Sequence, residues 1–303
     1  MTEGMTLGRR EGNGEQVGKR SNSLELLALH GFLEITRHRI AAEKHFYMDA
    51  ADEWAGFEFV YVVSGRLSMG KNQDKTVFEP GEYLHHRGLP ERAYFRAETD
   101  VELLMVSSPP SYHLIRDEIQ EILALARSVE EKDANTEGHC SRLERLAILT
   151  GERLGLSGDH LVDLSYGAYL HDVGKVRVPD SILLKTGRLT DEEWIEMRRH
   201  TEHGRDMLRE KEFLKGAAEI VVGHHERYDG SGYPKGLKGN QIPIGARVVA
   251  VVDAYDAIRS TRPYKKAESK AKAIEELRKG SGTQFDPRVV RAFVEAIGGA
   301  DEE

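Results

Sequence analysis

Two patterns of hydrophobic and polar positions divide this chain. Between Leu24 and Val106 the apolar residues come in short β-rich runs, FEFVYVVSG, RLSMG, KTVFEPGEYLHH, RAYFRA and VELLMVSS, separated by Gly, Pro, Asn and Asp. Runs of that length between turn residues predict strands, and their even spacing predicts a small barrel or sandwich. After PPS at 109–111 the period changes. Ile115, Ile119, Ile122, Ala126 and Val129 recur at intervals of 4, 3, 4 and 3, a heptad-like seam on one helix. Such a helix either docks on its own domain or links two copies in a dimer, and the pattern leaves both readings open. From there to Ile297 the reading is helical. Thr190 with Glu193 makes a capping box ahead of WIEMRRHTEHGRDML, and Asp286 with Pro287 opens RVVRAFVEAI. Trp194, Met197 and Met207 fall at helical spacing and are read as core.

Composition sharpens this picture without changing it. A chain of 303 residues with 39% hydrophobic content is long enough for two ordinary cores. The expected organisation is a flexible tail at 1–22, a β domain at 23–110, a linker helix at 111–132, a helical domain at 133–298 and a short tail at 299–303. A net charge of -8 argues against a protein that coats a nucleic-acid polymer, although a local basic patch can still meet a phosphate ligand. Cys140 is the single cysteine, which excludes an intrachain disulfide and suits a reducing, cytoplasmic setting; it reads as a small core side chain. No stretch approaches the ~20 apolar residues of a membrane span, and the first 23 residues lack the apolar core of a signal peptide.

The helical half carries an unusual collection of acids and imidazoles. His139 opens HCSRLERLAILTGERLGL, and His171 and Asp172 in HDVGK close the apolar helix HLVDLSYGAYL. His200 lies mid-helix in MRRHTEHG, His224 and His225 follow AAEIVVG, and Asp253 sits inside ARVVAVVDAYDAIRS. Any one of these has an ordinary explanation as a surface or hydrogen-bonded core residue. Together they would each cost several kcal/mol in apolar helices unless a cation or partner satisfied them. Mixed His/carboxylate sets suit borderline divalent metals such as iron, manganese, nickel or zinc, and the absence of paired cysteines disfavours structural zinc.

The order His139, His171-Asp172, His200, His224-His225 and Asp253, with Gly232-Tyr233-Pro234, resembles the HD-GYP subgroup of the HD phosphohydrolase superfamily. The likeness runs from about Asp133 to Phe293 and includes TEGHCSRL, LHDVGKVRVPDSILLKTGRLTDEEW, HTEHG, HHERYDGSGYP, GLKGNQIPIGARVVAVVDAYDA, RPYKKA and GTQFDP. The resemblance implies an all-α helical bundle that holds two or three divalent metals, iron or manganese foremost. It also implies hydrolysis of cyclic di-GMP to pGpG, and sometimes onward to GMP. Another cyclic dinucleotide such as cyclic GMP-AMP is a close variant. A different class of reading is a non-catalytic receptor whose GYP surface binds a partner such as a diguanylate cyclase.

Carried over residue by residue, His139, His171, Asp172 and Asp253 look like one metal's ligands, and Asp172 resembles the bridge to a second metal held by His200, His224 and His225. Adjacent helical residues point about 100° apart, so His224 and His225 reach one centre only if the helix ends or distorts there. Trinuclear members have a glutamate four residues before the first histidine; Asn135 stands there in this chain, which favours a binuclear site. Two such metals would activate a bridging water for in-line attack on a phosphodiester. Lys175, three residues past Asp172, resembles a family lysine near the scissile phosphate or the attacking water; without the family it would read as a helix-terminal charge. Arg262 and Lys265 in RPYKK match positions that grip substrate phosphates, or form a solvated basic run. Asp256, one turn beyond Asp253, either orients a ligand, contacts Lys175 or is a plain helix-face carboxylate. In the GYP loop Gly232 permits close backbone approach, Tyr233 offers a face to a guanine and Pro234 stiffens the turn, unless the three simply pack it.

In the β half, six residues separate Glu58 from Gly65 in EFVYVVSG, and FEPGEYLHH follows; this resembles the cupin pattern over roughly residues 25–108. The His-x-His pair of metal-binding cupins is replaced by DEWAGF, no histidine stands near LPERAYF, and His85 and His86 fall outside the pattern. A metal-free cupin-like barrel is expected, serving as a small-ligand sensor or dimerisation module, with Glu58 structural. The whole chain then reads as an all-β cupin-like barrel joined by a helix to an all-α bundle, in a homodimer.

Overall fold

The computed structural model describes residues 16–19, 22–48, 56–70, 75–132, 138–156, 158–260 and 267–298. Asn135, Arg262, Lys265, the side chain of Val129, and residues 1–15 and 299–303 of the expected tails lie outside the described residues. The chain divides into two units, Met1–Leu123 and Ala124–Glu303. No described helix is long and apolar enough to cross a membrane.

The first unit is all-β up to its last helix. Its strands are β1 Gln16–Lys19, β2 Asn22–His30, β3 Leu33–Ile40, β4 His45–Met48, β5 Phe57–Ser64, β6 Leu67–Met69, β7 Thr76–Phe78, β8 Tyr83–His86, β9 Ala93–Ala97 and β10 Val101–Ser108. They pair antiparallel as two sheets, in the orders β1-β2-β3-β10-β5-β8 and β4-β9-β6-β7, rather than as one closed barrel. In β10 burial alternates residue by residue, and Val101, Leu103 and Met105 join Val60, Val62, Leu67, Phe95 and Ala97 in the core. β1 lies inside the stretch expected to be a free tail. Its only apolar side chain is Val17, so its strand form rests on the ladder it makes with β2, from Gln16↔Glu25 to Lys19↔Asn22, which no local pattern reveals.

One row of this β core is polar. Glu34 of β3, Ser107 of β10, Glu58 of β5 and His86 of β8 face one another across four strands. His86 Nε2 stands 2.9 Å from Glu58 Oε2, so the histidine that lay outside the cupin pattern is the partner of the glutamate within it. Burial raises the Glu58 carboxyl above its usual range, although His86 opposes the shift. Glu34, buried, turns instead toward the following helix. It accepts hydrogen bonds from the Ser111 amide at 2.9 Å and the Tyr112 amide at 3.0 Å, satisfying N–H groups that a helix start leaves without partners. This helix is α1 Tyr112–Lys132, and the boundary between the units falls within it. Along its seam Ile119 packs with Tyr112 and Leu24 while Ile115 is exposed, so part of the seam docks on its own unit.

The second unit is helical: α2 His139–Arg153, α3 Asp159–Tyr169, α4 Asp180–Leu183, α5 Asp191–Arg198, α6 His200–Arg209, α7 Lys215–Gly223, α8 Ile244–Arg259, α9 Lys270–Lys279 and α10 Pro287–Gly298. Its core joins Leu143 and Ala147 of α2, Leu164 of α3, Ile220 of α7, Val248 and Val252 of α8, Leu277 of α9 and Phe293 of α10. Both expected helix starts are present. Thr190 and Glu193 form the capping box of α5, and Asp286 accepts from the Arg288 amide at 2.8 Å while its other oxygen pairs with buried Arg247 of α8. Trp194 does not join the core: α5 buries none of its residues, and Trp194 is 47% exposed.

Candidate metal centre

Three histidines reach the centre by one local device. α3, α5 and α7 end at Tyr169, Arg198 and Gly223, and His171, His200 and His224 follow those ends within two residues. A helix end leaves its last carbonyls without amide partners. Each histidine donates its Nδ1–H to a carbonyl three residues back, in the last turn: His171 to Ala168 at 3.0 Å, His200 to Met197 at 2.8 Å and His224 to Val221 at 2.6 Å. A carbonyl only accepts, so the proton is fixed on Nδ1 and the Nε2 lone pair is the one left to bind. His200 therefore begins a helix rather than lying inside one, because the chain breaks at Arg199 between α5 and α6. The rings of His171 and His200 lie 5.3 and 5.5 Å from that of His224, so three helix C-termini, with their negative dipole ends, converge on one point.

His139 is oriented differently, from a helix start. Its Nδ1 donates to Asp256 Oδ2 at 2.7 Å, and its Nε2 faces Asp253 Oδ1 at 3.9 Å. Asp253 and Asp256 lie one turn apart on α8, so they address the two nitrogens of the same ring. Arg142, three residues beyond His139 on α2, grips Asp256 with Nε at 2.9 Å and Nη2 at 3.1 Å. Burial alone would raise the Asp256 carboxyl, but its hydrogen bonds to His139 and Arg142 hold it well below the usual range. Of the three readings of Asp256, this geometry fits the one in which it orients a histidine. Its oxygens are taken by His139, Arg142 and Ser260, and Lys175 pairs with Asp172 instead, at 2.9 Å.

Asp172 stands between the two sides. Its Oδ2 lies 3.2 Å from His171 Nε2 and its Oδ1 lies 3.5 Å from His200 Nε2 and 4.0 Å from His224 Nε2. Burial works against its charge, yet Lys175, His171 and His200 hold it well below the usual carboxylate range. Burial also works against charge on His171, but the neighbouring Asp172 and Asp253 carry it up to about 9. His200 and His224 are lowered by burial, and His225 falls to about 3 for the same reason, so these three are neutral at pH 7. Asp172 is brought to its place by Gly174. In the 3-10 turn Val173–Arg177 a Cβ on Gly174 would stand 1.9 Å from the His200 carbonyl oxygen and 2.4 Å from the Gly204 amide, so only glycine lets the turn lie on α6.

The fit to metal is chemical as well as geometric. The Nε2 atoms of His139, His171, His200 and His224 are buried with no hydrogen-bond partner, a costly state for four convergent imidazoles unless cations meet them. Two groups of ligand atoms lie within 4.8 Å of one another: Asp172, His200, His224 and His225 in one, and His139, His171 and Asp253 in the other. All seven residues expected at the metals are brought together in these two groups, which could hold divalent cations.

The GYP loop borders the same pocket. α7 has ended before His224, and the His224 and His225 rings, 4.0 Å apart, both face inward. Tyr233 packs on His225 at 4.9 Å and its amide donates to the His225 carbonyl at 3.2 Å. A Cβ on Gly232 would stand 2.2 Å from the Arg227 amide nitrogen, so this close return of the chain requires glycine. Pro234 follows through a cis peptide bond. Buried Glu226 accepts from the Lys235 and Leu237 amides at 2.7 and 3.0 Å and braces the loop. Arg142 and Arg198, whose guanidinium lies 5.1 Å from the Tyr233 ring centre, are site residues that motif reading passed over; the i, i+3 spacing of His139 and Arg142 was the available sign.

A family model described as HD domain matches residues 114–289. The chain is 44% identical over 179 residues to the cyclic di-GMP phosphodiesterase response regulator RpfG of Xanthomonas campestris, covering 58% of this chain and 47% of the relative. It is 39% identical over 177 residues to 3'3'-cGAMP-specific phosphodiesterase 2 of Vibrio cholerae, covering 56% and 33%. The chain thus spans about half the length, or less, of these relatives. A solved RmlC-like cupin from Shewanella frigidimarina is similar over 36% of this chain and 93% of its own, with 14% identity and a TM-score of 0.29. With residues 114–289, more than half of its length, matched by that model, the chain belongs to the HD domain family.

Proposed function

We propose that this chain is a metal-dependent phosphodiesterase that hydrolyses cyclic di-GMP to pGpG, with GMP formed only by a second cut of the same kind. The observation that carries the reading is the set of four buried, partnerless Nε2 atoms around Asp172 and Asp253. Divalent ions held there, iron or manganese foremost by the family resemblance, would supply Lewis acidity and a water ionised near neutral pH. Lys175 brings a positive charge beside Asp172 and would hold a phosphoryl oxygen. Tyr233 would offer its ring to a purine. One P–O bond breaks and water adds, leaving a 5'-phosphate on one nucleoside and a free hydroxyl on the other.

The names of the relatives support a cyclic dinucleotide substrate, and most specify cyclic di-GMP. Cyclic GMP-AMP is the second reading, supported by the relatives named for it. We read 23–110 as a cupin-like regulatory domain, 111–132 as its linker and 133–298 as the hydrolase, in a homodimer. The test is incubation of metal-loaded protein with each dinucleotide, resolving products by chromatography beside His171→Ala. Formation of pGpG by the parent protein alone supports the proposal. Its absence with both iron and manganese, while nucleotide still binds, would replace it with the receptor reading.

A further inference from the structure

From the metal pocket a ladder of flat groups leads outward. His225 is followed by the Tyr233 ring at 4.9 Å, the Arg198 guanidinium lies 5.1 Å from the centre of that ring, and Arg198 lies 6.0 Å from the ring of Trp194. Trp194 and Arg198 are four residues apart on α5 and so share a face. Both are exposed, and α5 buries nothing, so this face is not used to hold the fold. Arg199 is tied to Glu196 at 2.9 Å. Among the described residues no carboxylate pairs with the Arg198 guanidinium, whose charge is met only by the two aromatic faces.

We infer that Arg198, held between Tyr233 and Trp194, is the specificity-determining residue that reads a guanine of the substrate. This rests on the cyclic dinucleotide reading above. A guanidinium can stack on aromatic faces and still present edge N–H donors. Guanine offers two adjacent acceptors, O6 and N7, which match that fork; adenine has N7 but presents an amino donor in place of O6. A purine lying against this ladder is therefore accepted by stacking whichever base it is, and guanine is selected by Arg198. The same bidentate pairing discriminates against a wrong base by about 5- to 150-fold where it occurs on DNA.

The experiment compares kcat/KM for cyclic di-GMP, cyclic GMP-AMP and cyclic di-AMP in the parent protein, Arg198→Ala and Arg198→Lys. The parent should prefer cyclic di-GMP to cyclic di-AMP. In Arg198→Ala that ratio should fall by about 5- to 150-fold, mainly through loss of the guanine substrate, and lysine should restore little because it lacks the planar fork. Intrinsic fluorescence in a Trp54→Phe background, where Trp194 is the remaining tryptophan, should be quenched by cyclic di-GMP and less so after Arg198→Ala. An equal loss of turnover on guanine and adenine substrates, or an unchanged ratio, would overturn the assignment while leaving the phosphodiesterase reading intact. A parent protein that hydrolyses none of the three would overturn both.

Discussion

Replacing Asp256 by Asn separates the two halves of the metal centre. Asp256 touches only the His139 side: its Oδ2 accepts from His139 Nδ1 at 2.7 Å, and His139 belongs with His171 and Asp253. The His139 and Asp256 side chains are both nearly fully buried, at 5% and 6% exposure, so loss of this charge-assisted bond should cost about 1.5–3 kcal/mol of folding stability. The Arg142 pair adds little, because that side chain is 40% exposed and water screens it. Removing a carboxylate behind a ligating histidine typically weakens metal binding about 10- to 100-fold. That loss should fall on one class of ion, while the class held by Asp172, His200, His224 and His225 changes little. Metal titration against a chromophoric chelator resolves the two classes. Since the Asp256 carboxyl is held below its usual range, its contribution is complete above an unfolded pKa of about 4 and fades as pH falls from there toward its folded value. The stability gap between parent and Asp256→Asn should therefore close in acid. Equal weakening of both classes, or of neither, would refute the assignment of Asp256 to His139.

Three further outcomes follow from the same geometry. Gly174→Ala places a methyl 1.9 Å from a backbone oxygen, so the turn bearing Asp172 must move off α6; we expect a loss of about 1–3 kcal/mol and of bound metal, and unchanged melting and metal content would contradict the packing argument. Glu34→Ala removes the acceptor for the Ser111 and Tyr112 amides, which should lower stability by about 1–3 kcal/mol and speed hydrogen exchange at Tyr112, an effect that must be absent if α1 is held by its apolar seam alone. His171 is raised to about 9, with Asp172 overcoming burial, so a metal must displace its proton; apparent metal affinity should fall about tenfold per pH unit below 9, and a flat profile from pH 7 to 9 would show the ring already neutral.

The ligand set was legible because its members are chemically out of place in apolar helices, and because their order is a family pattern. Where each residue sits on its element was less so. MRRHTEHG reads as continuous helix since Arg199, at the break, keeps helical angles of φ -63 and ψ -15, and nothing in its side chain marks the fault. β3 was hidden for the opposite reason. In LEITRHRI the buried face carries Glu34 and Thr36, polar residues where a strand pattern expects apolar ones. His38 on the same strand is lowered to about 4 by its withdrawal from water. Arg142 and Arg198 escaped because an arginine on a helix face has many uses, and its partner, a carboxylate on α8 or a tyrosine beyond α7, is distant in sequence.

On the proposed function, an acidic site must admit an anionic substrate. Asp172 and Asp253 contribute two carboxylates, and the C-termini of α3, α5 and α7 each add about half a negative charge near the centre. Against these stand the Lys175 ammonium, already paired with Asp172, and a protonated His171. A phosphodiester entering without cations would meet net negative potential, and the neutral rings of His200, His224 and His225 would not relieve it. Divalent cations would reverse that potential, and the carbonyl-anchored histidines would hold them through rings fixed by their Nδ1 hydrogen bonds. The helix ends thus have two roles that depend on one another: they aim the Nε2 atoms inward, and, on the proposed function, they would make the centre repel an anionic substrate until cations are held there.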